Sequence, residues 1–223
     1  MAPTNAPGLL SLLETGQLSD IVIKFGEDRE LKAHKVILAA KSGWFHRAFN
    51  SSFQVYAAKP IGSYHVSLTV LQEASATSIQ LSGDDPDALE FALQFLYHEN
   101  LELRPHDSTE KEATLFLLTL YEISNKYDIP SLANPVASGL IPIFRRGLLL
   151  DYKAEIVRAL YDSVSHDGHG LKETLVWSLT LNLRRVEDEL KEYAKENKEF
   201  AADVLFSTWS RTDKIISIRY QAE

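Results

Sequence analysis

The chain of 223 residues contains no cysteine. That excludes a disulfide framework, a thiolate metal site and a catalytic thiol, and it is compatible with a reducing compartment. No stretch reaches the roughly 18 uninterrupted apolar residues of a spanning helix. The opening MAPTNAPGLLSLLETG lacks the basic start and long apolar run of a secretory signal. A soluble intracellular protein, cytoplasmic or nuclear, is expected. Clustered positive charge is missing too: the densest basic groups are the pairs Arg145-Arg146 and Arg184-Arg185, which read as helix-end or solvated-face charge. Residues 1–128 carry 10 basic and 17 acidic side chains, so −7 of the net −8 lies in the front half. Nucleic-acid binding needs Lys and Arg to displace counterions, and is not expected. GxSxG, GxGxxG and Walker patterns are absent, as are internal repeats and low-complexity tracts. The expectation is a protein that is not an enzyme and holds no cofactor and no metal.

Hydrophobic residues make up 45% of the chain, ample for a buried core. The most informative stretch is SDIVIKFGEDRELKAHKVILAAKSGWFHRAFNSSF, Ser19 to Phe53. Ile21, Ile23 and Phe25 alternate with Val22 and Lys24, and Leu31 and Ala33 alternate with Glu30 and Lys32. That period predicts two half-buried strands, with Gly26-Glu27-Asp28 as the turn. After His34 the period becomes helical: Val36, Ile37 and Ala40, then Trp44, Phe45, Ala48 and Phe49, broken at Ser42-Gly43. A strand hairpin thus feeds a helical hairpin.

Farther on, Ile79-Gln80-Leu81 reads as a third strand. DPDALEFALQFLYHENLEL (Asp85 to Leu103) carries a capping Asp85, Pro86 in the first turn and an apolar face of Leu89, Ala92, Leu93 and Leu96. Thr109 and Glu112 have capping-box spacing ahead of a helix that runs to Tyr127, with Pro130 ending it. Leu9, Leu10, Leu12 and Leu13 lie in a short helical stretch before Gly16, too short to stand without a cover. From Ser131 the chain reads as further helices: Leu132 to Phe144 interrupted by Pro135 and Pro142, Tyr152 to Val164, Leu171 to about Asn197, and Phe200 to Trp209. HDGHG (His166 to Gly170) is a loop, and Ile215 to Tyr220 reads as a strand or a fraying end.

The spaced positions Ser19-Asp20, His34-Lys35, Ser42 through Phe49, the third strand, Asp85 to Leu103 and YEISNKYDIPSL (Tyr121 to Leu132) together resemble the BTB (POZ) domain family. The resemblance covers about Leu9 to Leu132, and the whole is similar to short BTB proteins common in fungi. It implies an α+β fold, a small three-stranded sheet flanked by helical hairpins, with an α-helical C-terminal extension. The corresponding division is 1–18 as an N-terminal segment, 19–132 as the BTB domain and 133–223 as the extension. It also implies a protein-interaction or oligomerisation module. A homodimer would bury Leu9, Leu10, Leu12 and Leu13, with Asp20 and Lys35 either a charged pair near the dimer groove or an ordering contact within one chain. Fewer than twenty residues precede Asp20, so a strand-swapped dimer is not expected. Many members recruit a cullin scaffold for ubiquitin ligation through a hydrophobic-any-Glu motif. The alternative is a scaffold or regulator in transcription that acts through protein partners without touching DNA.

At the motif's place this chain reads Phe53-Gln54-Val55. Eighteen residues, VYAAKPIGSYHVSLTVLQ (55–72), separate Gln54 from Glu73, and their removal restores Phe-Gln-Glu. Two accounts fit. Tyr64, Val66, Leu68 and Val70 alternate beyond a Pro60 to Ser63 turn, as in an extra hairpin. Alternatively the segment is unspliced intron, since valine codons begin with GT, glutamine can be encoded by CAG, and Leu68-Thr69 allows a branch-point-like sequence.

The remaining polar clusters read as structural. His34 at a helix start is expected to meet backbone or a carboxylate. His166 and His169 flank Asp167 at a spacing that needs a third ligand from elsewhere to hold a metal, and His46, His65, His98 and His106 have no ligand-like spacing. Asp84, Asp85 and Asp87 crowd a helix start, where carboxylates cap exposed amides.

Overall fold

A computed structural model describes residues 8–50, 77–98, 103, 109–146, 151–164, 167–181 and 188–221, of 211–221 the backbone alone. The chain divides into two compact units, Met1–Leu103 with Thr119–Ala133, and Arg104–Leu118 with Asn134–Glu223.

In the first unit, α1 (Leu9–Thr15) stops at Gly16, whose φ of 66° closes the helix in the left-handed region that glycine adopts without strain. Strands β1 (Ile21–Phe25) and β2 (Arg29–Ala33) pair antiparallel with Ile23 opposite Leu31. Strand β3 (Ser78–Gln80) joins β1 in parallel with Ile79 opposite Ile23, giving the order β2-β1-β3. Ile21, Ile23 and Phe25 are buried, as the alternation predicts.

Helices α2 (Lys35–Lys41) and α3 (Gly43–Asn50) are split at Ser42. The Ser42 hydroxyl donates to the Tyr127 carbonyl at 2.6 Å and accepts from the Phe45 N–H at 3.1 Å, so the break is a cap for α3. A side chain at Gly43 would put its Cβ 1.9 Å from Asp128 Oδ2. Helix α4 (Pro86–Phe95) begins as predicted, with the Asp85 carboxylate accepting from the Asp87 and Ala88 N–H groups.

The division of units cuts α5 (Glu110–Lys126) and α6 (Pro130–Arg145). At the start of α5 the capping box is complete: the Thr109 hydroxyl accepts from the Glu112 N–H, and the Glu112 carboxylate accepts from the Thr109 N–H. Pro130 begins α6 as well as following α5. The predicted interruptions at Pro135 and Pro142 do not occur: both prolines lie on the exposed side, as do Ser131 and Ser138, whose carbonyls they leave without a helical donor. Leu132, Val136, Leu140 and Phe144, all buried, hold the opposite face.

The second unit continues with α7 (Lys153–Ser163), α8 (Leu171–Leu179), α9 (Asp188–Glu196) and α10 (Lys198–Gln221). Two expectations change here. The helix predicted from Leu171 to Asn197 is found as α8 and α9, and Ile215 to Tyr220 belongs to α10 and not to a strand. Arg184, Arg185 and residues 55–72 lie outside the described residues.

Candidate protein-interaction site

His34 closes β2 and opens α2, and it is 5% exposed. Its Nε2 lies 2.7 Å from the Gln17 carbonyl, an acceptor only, so this nitrogen carries the proton. The Tyr97 hydroxyl sits 3.0 Å from Nδ1 and donates to it, while accepting the His34 backbone N–H at 2.8 Å. Burial pushes the Tyr97 hydroxyl up to about 12, with the Asp20 charge adding to the effect. This bond chain ties the segment after α1, the β2–α2 junction and the end of α4 together. His34 therefore meets backbone, as expected, and a tyrosine in place of a carboxylate.

The same junction fixes Asp20 and Lys35. The Asp20 carboxylate accepts the Lys35 backbone N–H at 2.8 Å, satisfying one of the unpaired amides at the start of α2. The ordering contact within one chain is thus present. The Lys35 ammonium lies 5.8 Å from the Phe49 ring centroid, on the outer side of the helical hairpin. Leu18, two residues before Asp20, holds a φ of 62° and is 85% exposed.

Between α2 and α3 an open groove of about 400 Å³ is lined by Val36, Ala39, Ala40, His46 and Phe49, with Lys35 and Asn50 at its edge. Val36 is 73% exposed, although the helical spacing had placed it on the apolar face. Val36, Ile37 and Leu38 are consecutive, and a helix can bury only part of such a run; Leu38 is the one in the core. That three-residue run signals that one of its members must turn outward, which the helical spacing of Val36, Ile37 and Ala40 did not show. Of the four N-terminal leucines, Leu13 is buried within the protomer, Leu10 and Leu12 are half-buried and Leu9 is 43% exposed. Phe53, Gln54 and Glu73 lie outside the described residues.

A second polar centre holds α3 in place. Asp84, its side chain 7% exposed, accepts from Lys126 Nζ at 2.6 Å and from the Tyr127 hydroxyl at 2.7 Å. Burial and the Asp84 charge drive the Tyr127 hydroxyl far above its ordinary range. The Tyr127 ring meets Trp44 edge-on and stacks on Phe45, and Arg47 pairs with Asp128 at 3.0 Å. Of the three neighbouring aspartates, only Asp85 caps; Asp87 pairs with Arg29 at 2.7 Å. Asp167 caps α8 by accepting from Leu171 and Lys172, and His169 Nε2 donates to Asn134 at 2.9 Å. No group of three His, Asp or Glu among the described residues is arranged to hold a metal. No helix among them is long and apolar enough to cross a membrane.

The first unit thus has a three-stranded sheet and a helical hairpin with an open, largely apolar groove. A model of the BTB/POZ domain matches residues 9–140, and the chain belongs to that family. Kelch-like protein 40b of Danio rerio is 26% identical over 153 residues, which cover 65% of this chain and 20% of that protein. Kelch-like protein 41 of Homo sapiens is likewise 26% identical over 153 residues, covering 21% of its own length. Rabankyrin-5 of Mus musculus is 24% identical over 184 residues, 75% of this chain and 13% of that protein. The chain spans about a fifth or less of the length of these curated relatives.

Proposed function

We propose that the chain docks protein partners through the face that joins α1, the Asp20–Lys35 contact and the α2–α3 groove, and that it forms a homodimer there. The observation that carries this reading is the groove itself. Val36 stands out at its rim and is accessible, while the His34–Tyr97 and Asp84–Tyr127 centres hold both helices rigidly beneath it. Leu9, Leu10 and Leu12 add apolar surface next to the same joint, and Leu13 anchors α1. Burial of this surface between two copies supplies the driving force for association.

The finer role is that of a substrate adaptor for a cullin-type ubiquitin ligase, with Phe53, Gln54 and Glu73 as the contact. Support for it is the family's hydrophobic-any-Glu motif, which Phe53 and Gln54 begin and Glu73 completes once residues 55–72 are removed; with those residues present the motif is broken and the adaptor reading is weakened. Light scattering on the full chain tests the first part: a dimer is expected, and Leu9→Asp with Leu12→Asp is expected to be monomeric. A variant that stays dimeric moves the interface elsewhere. Co-purification tests the second: the form without residues 55–72 is expected to retain a cullin and to lose it on Phe53→Ala. Absence of cullin from that form removes the adaptor reading.

A further inference from the structure

Large exposed hydrophobic side chains are unevenly spread. Five of the eight among the described residues, Trp177, Leu181, Leu205, Phe206 and Trp209, belong to α8, the turn just past it, and α10. Helix α10 packs on α8. Between the two runs an open groove of about 580 Å³, walled by Glu173, Val176 and Trp177 on one side and Asp203, Phe206 and Ser207 on the other. Trp177 is 49% exposed, Phe206 66% and Trp209 61%, and the Phe206 ring meets Trp209 edge-on at 6.1 Å.

Two carboxylates face this aromatic groove, and no lysine or arginine is among its described lining residues. Asp203 is aimed by the Tyr161 hydroxyl, which donates to its Oδ2 at 2.6 Å and occupies one side of the carboxylate. The Glu173 carboxylate, in the first turn of α8, makes no hydrogen bond or ion pair with a described residue. An entirely apolar occupant would strip water from both carboxylates and give nothing back. An acidic or phosphate-bearing one would be repelled. The second unit already shows what such surroundings hold: Lys172 Nζ lies 4.9 Å from the Tyr161 ring centroid and 2.7 Å from Glu199.

We propose that the α8–α10 groove binds a basic segment of a partner protein, whose arginine lies against the Trp177 and Phe206 rings with its guanidinium on Glu173 and Asp203. Arginine fits better than lysine, because its planar, weakly hydrated fork stacks on aromatic faces and pairs with carboxylates through several N–H groups. None of its lining residues belongs to the α2–α3 groove or to the proposed cullin contact.

The test uses the full chain against an array of random short peptides, followed by fluorescence anisotropy with the best binder. Arginine flanked by apolar residues is the expected selection. Replacing that arginine with citrulline, its neutral isostere, is expected to weaken binding roughly tenfold. Glu173→Gln and Phe206→Ser, both at exposed positions, are each expected to weaken it roughly fivefold, whereas Phe53→Ala leaves it unchanged. An array without arginine preference, equal binding of the citrulline peptide, or variants that bind like the parent would each overturn the proposal. So would light scattering in which Phe206→Ser alone turns a dimer into a monomer, since the groove would then be an interface between copies.

Discussion

Both units attach a tyrosine hydroxyl to an aspartate, and they do so under different solvation. In the first unit Tyr127 donates to Asp84, a carboxylate only 7% exposed and paired with Lys126. In the second, Tyr161 donates to Asp203 and Tyr193 to Asp162, both at 2.6 Å, and these aspartates lie at or near the surface. Burial drives all three hydroxyls far above their ordinary range, and the aspartate each one meets adds to the rise. A buried carboxylate needs a cation as well as a hydroxyl, because desolvating it alone costs several kcal/mol. At Asp203, which water reaches, one hydroxyl makes the described contact. The first arrangement makes a rigid support; the second leaves Asp203 facing an open groove.

The sharpest way to break this contrast is Asp84→Ala. It leaves the Tyr127 hydroxyl and Lys126 without their acceptor and is expected to lower unfolding free energy by about 3 kcal/mol. Urea denaturation of the full chain measures it, and a loss below about 1 kcal/mol would show that Asp84 is no more important than a surface carboxylate. Tyr161→Phe in the second unit is expected to cost about 1 kcal/mol, since water takes the place of the lost donor at Asp203. Equal costs for the two substitutions would erase the distinction.

Two glutamates on α5 sharpen it further without a large change in stability. Burial, then the charge of Asp84, raises the Glu122 carboxyl above its ordinary value. Its folded value exceeds its unfolded one, so a penalty on folding appears as pH rises through the unfolded value and reaches its full size above the folded one. Glu122→Gln is therefore expected to stabilise at neutral pH and to give no gain in acid. Glu112 is the opposite case: the Thr109 N–H and hydroxyl hold its carboxyl below the usual range. Its contribution is present above the unfolded value and lost as pH falls through the depressed folded one, so Glu112→Gln should flatten the acid limb of a stability–pH curve. Both variants with the same pH dependence would contradict these environments.

Local chemistry was legible wherever it depends on neighbours in sequence. The alternation of Ile21, Ile23 and Phe25, the Asp85-Pro86 helix start and the Thr109–Glu112 box all form as read, because each is a pattern of spacing or a bond over three residues. Pro135 and Pro142 misled for the same reason in reverse: proline opposes a helix locally, and buried residues along α6 overrule it. The groove between α2 and α3 was half legible. Its Phe49 and Ala40 stood in the apolar pattern, while the outward turn of Val36 depends on which of three consecutive residues Leu38 displaces from the core.

The sequence by itself determined the family pattern, the element types over most of the chain, the acidic front half and the absence of thiol chemistry, since composition and short-range period carry that information. Only the tertiary structure decided that Asp20 serves the Lys35 amide, that Tyr97 and Tyr127 reach back 63 and 43 residues to His34 and Asp84, and that Trp177 and Phe206 line one groove with Glu173 and Asp203. Those contacts join positions with no fixed spacing between them, and folding alone brings them within hydrogen-bonding distance.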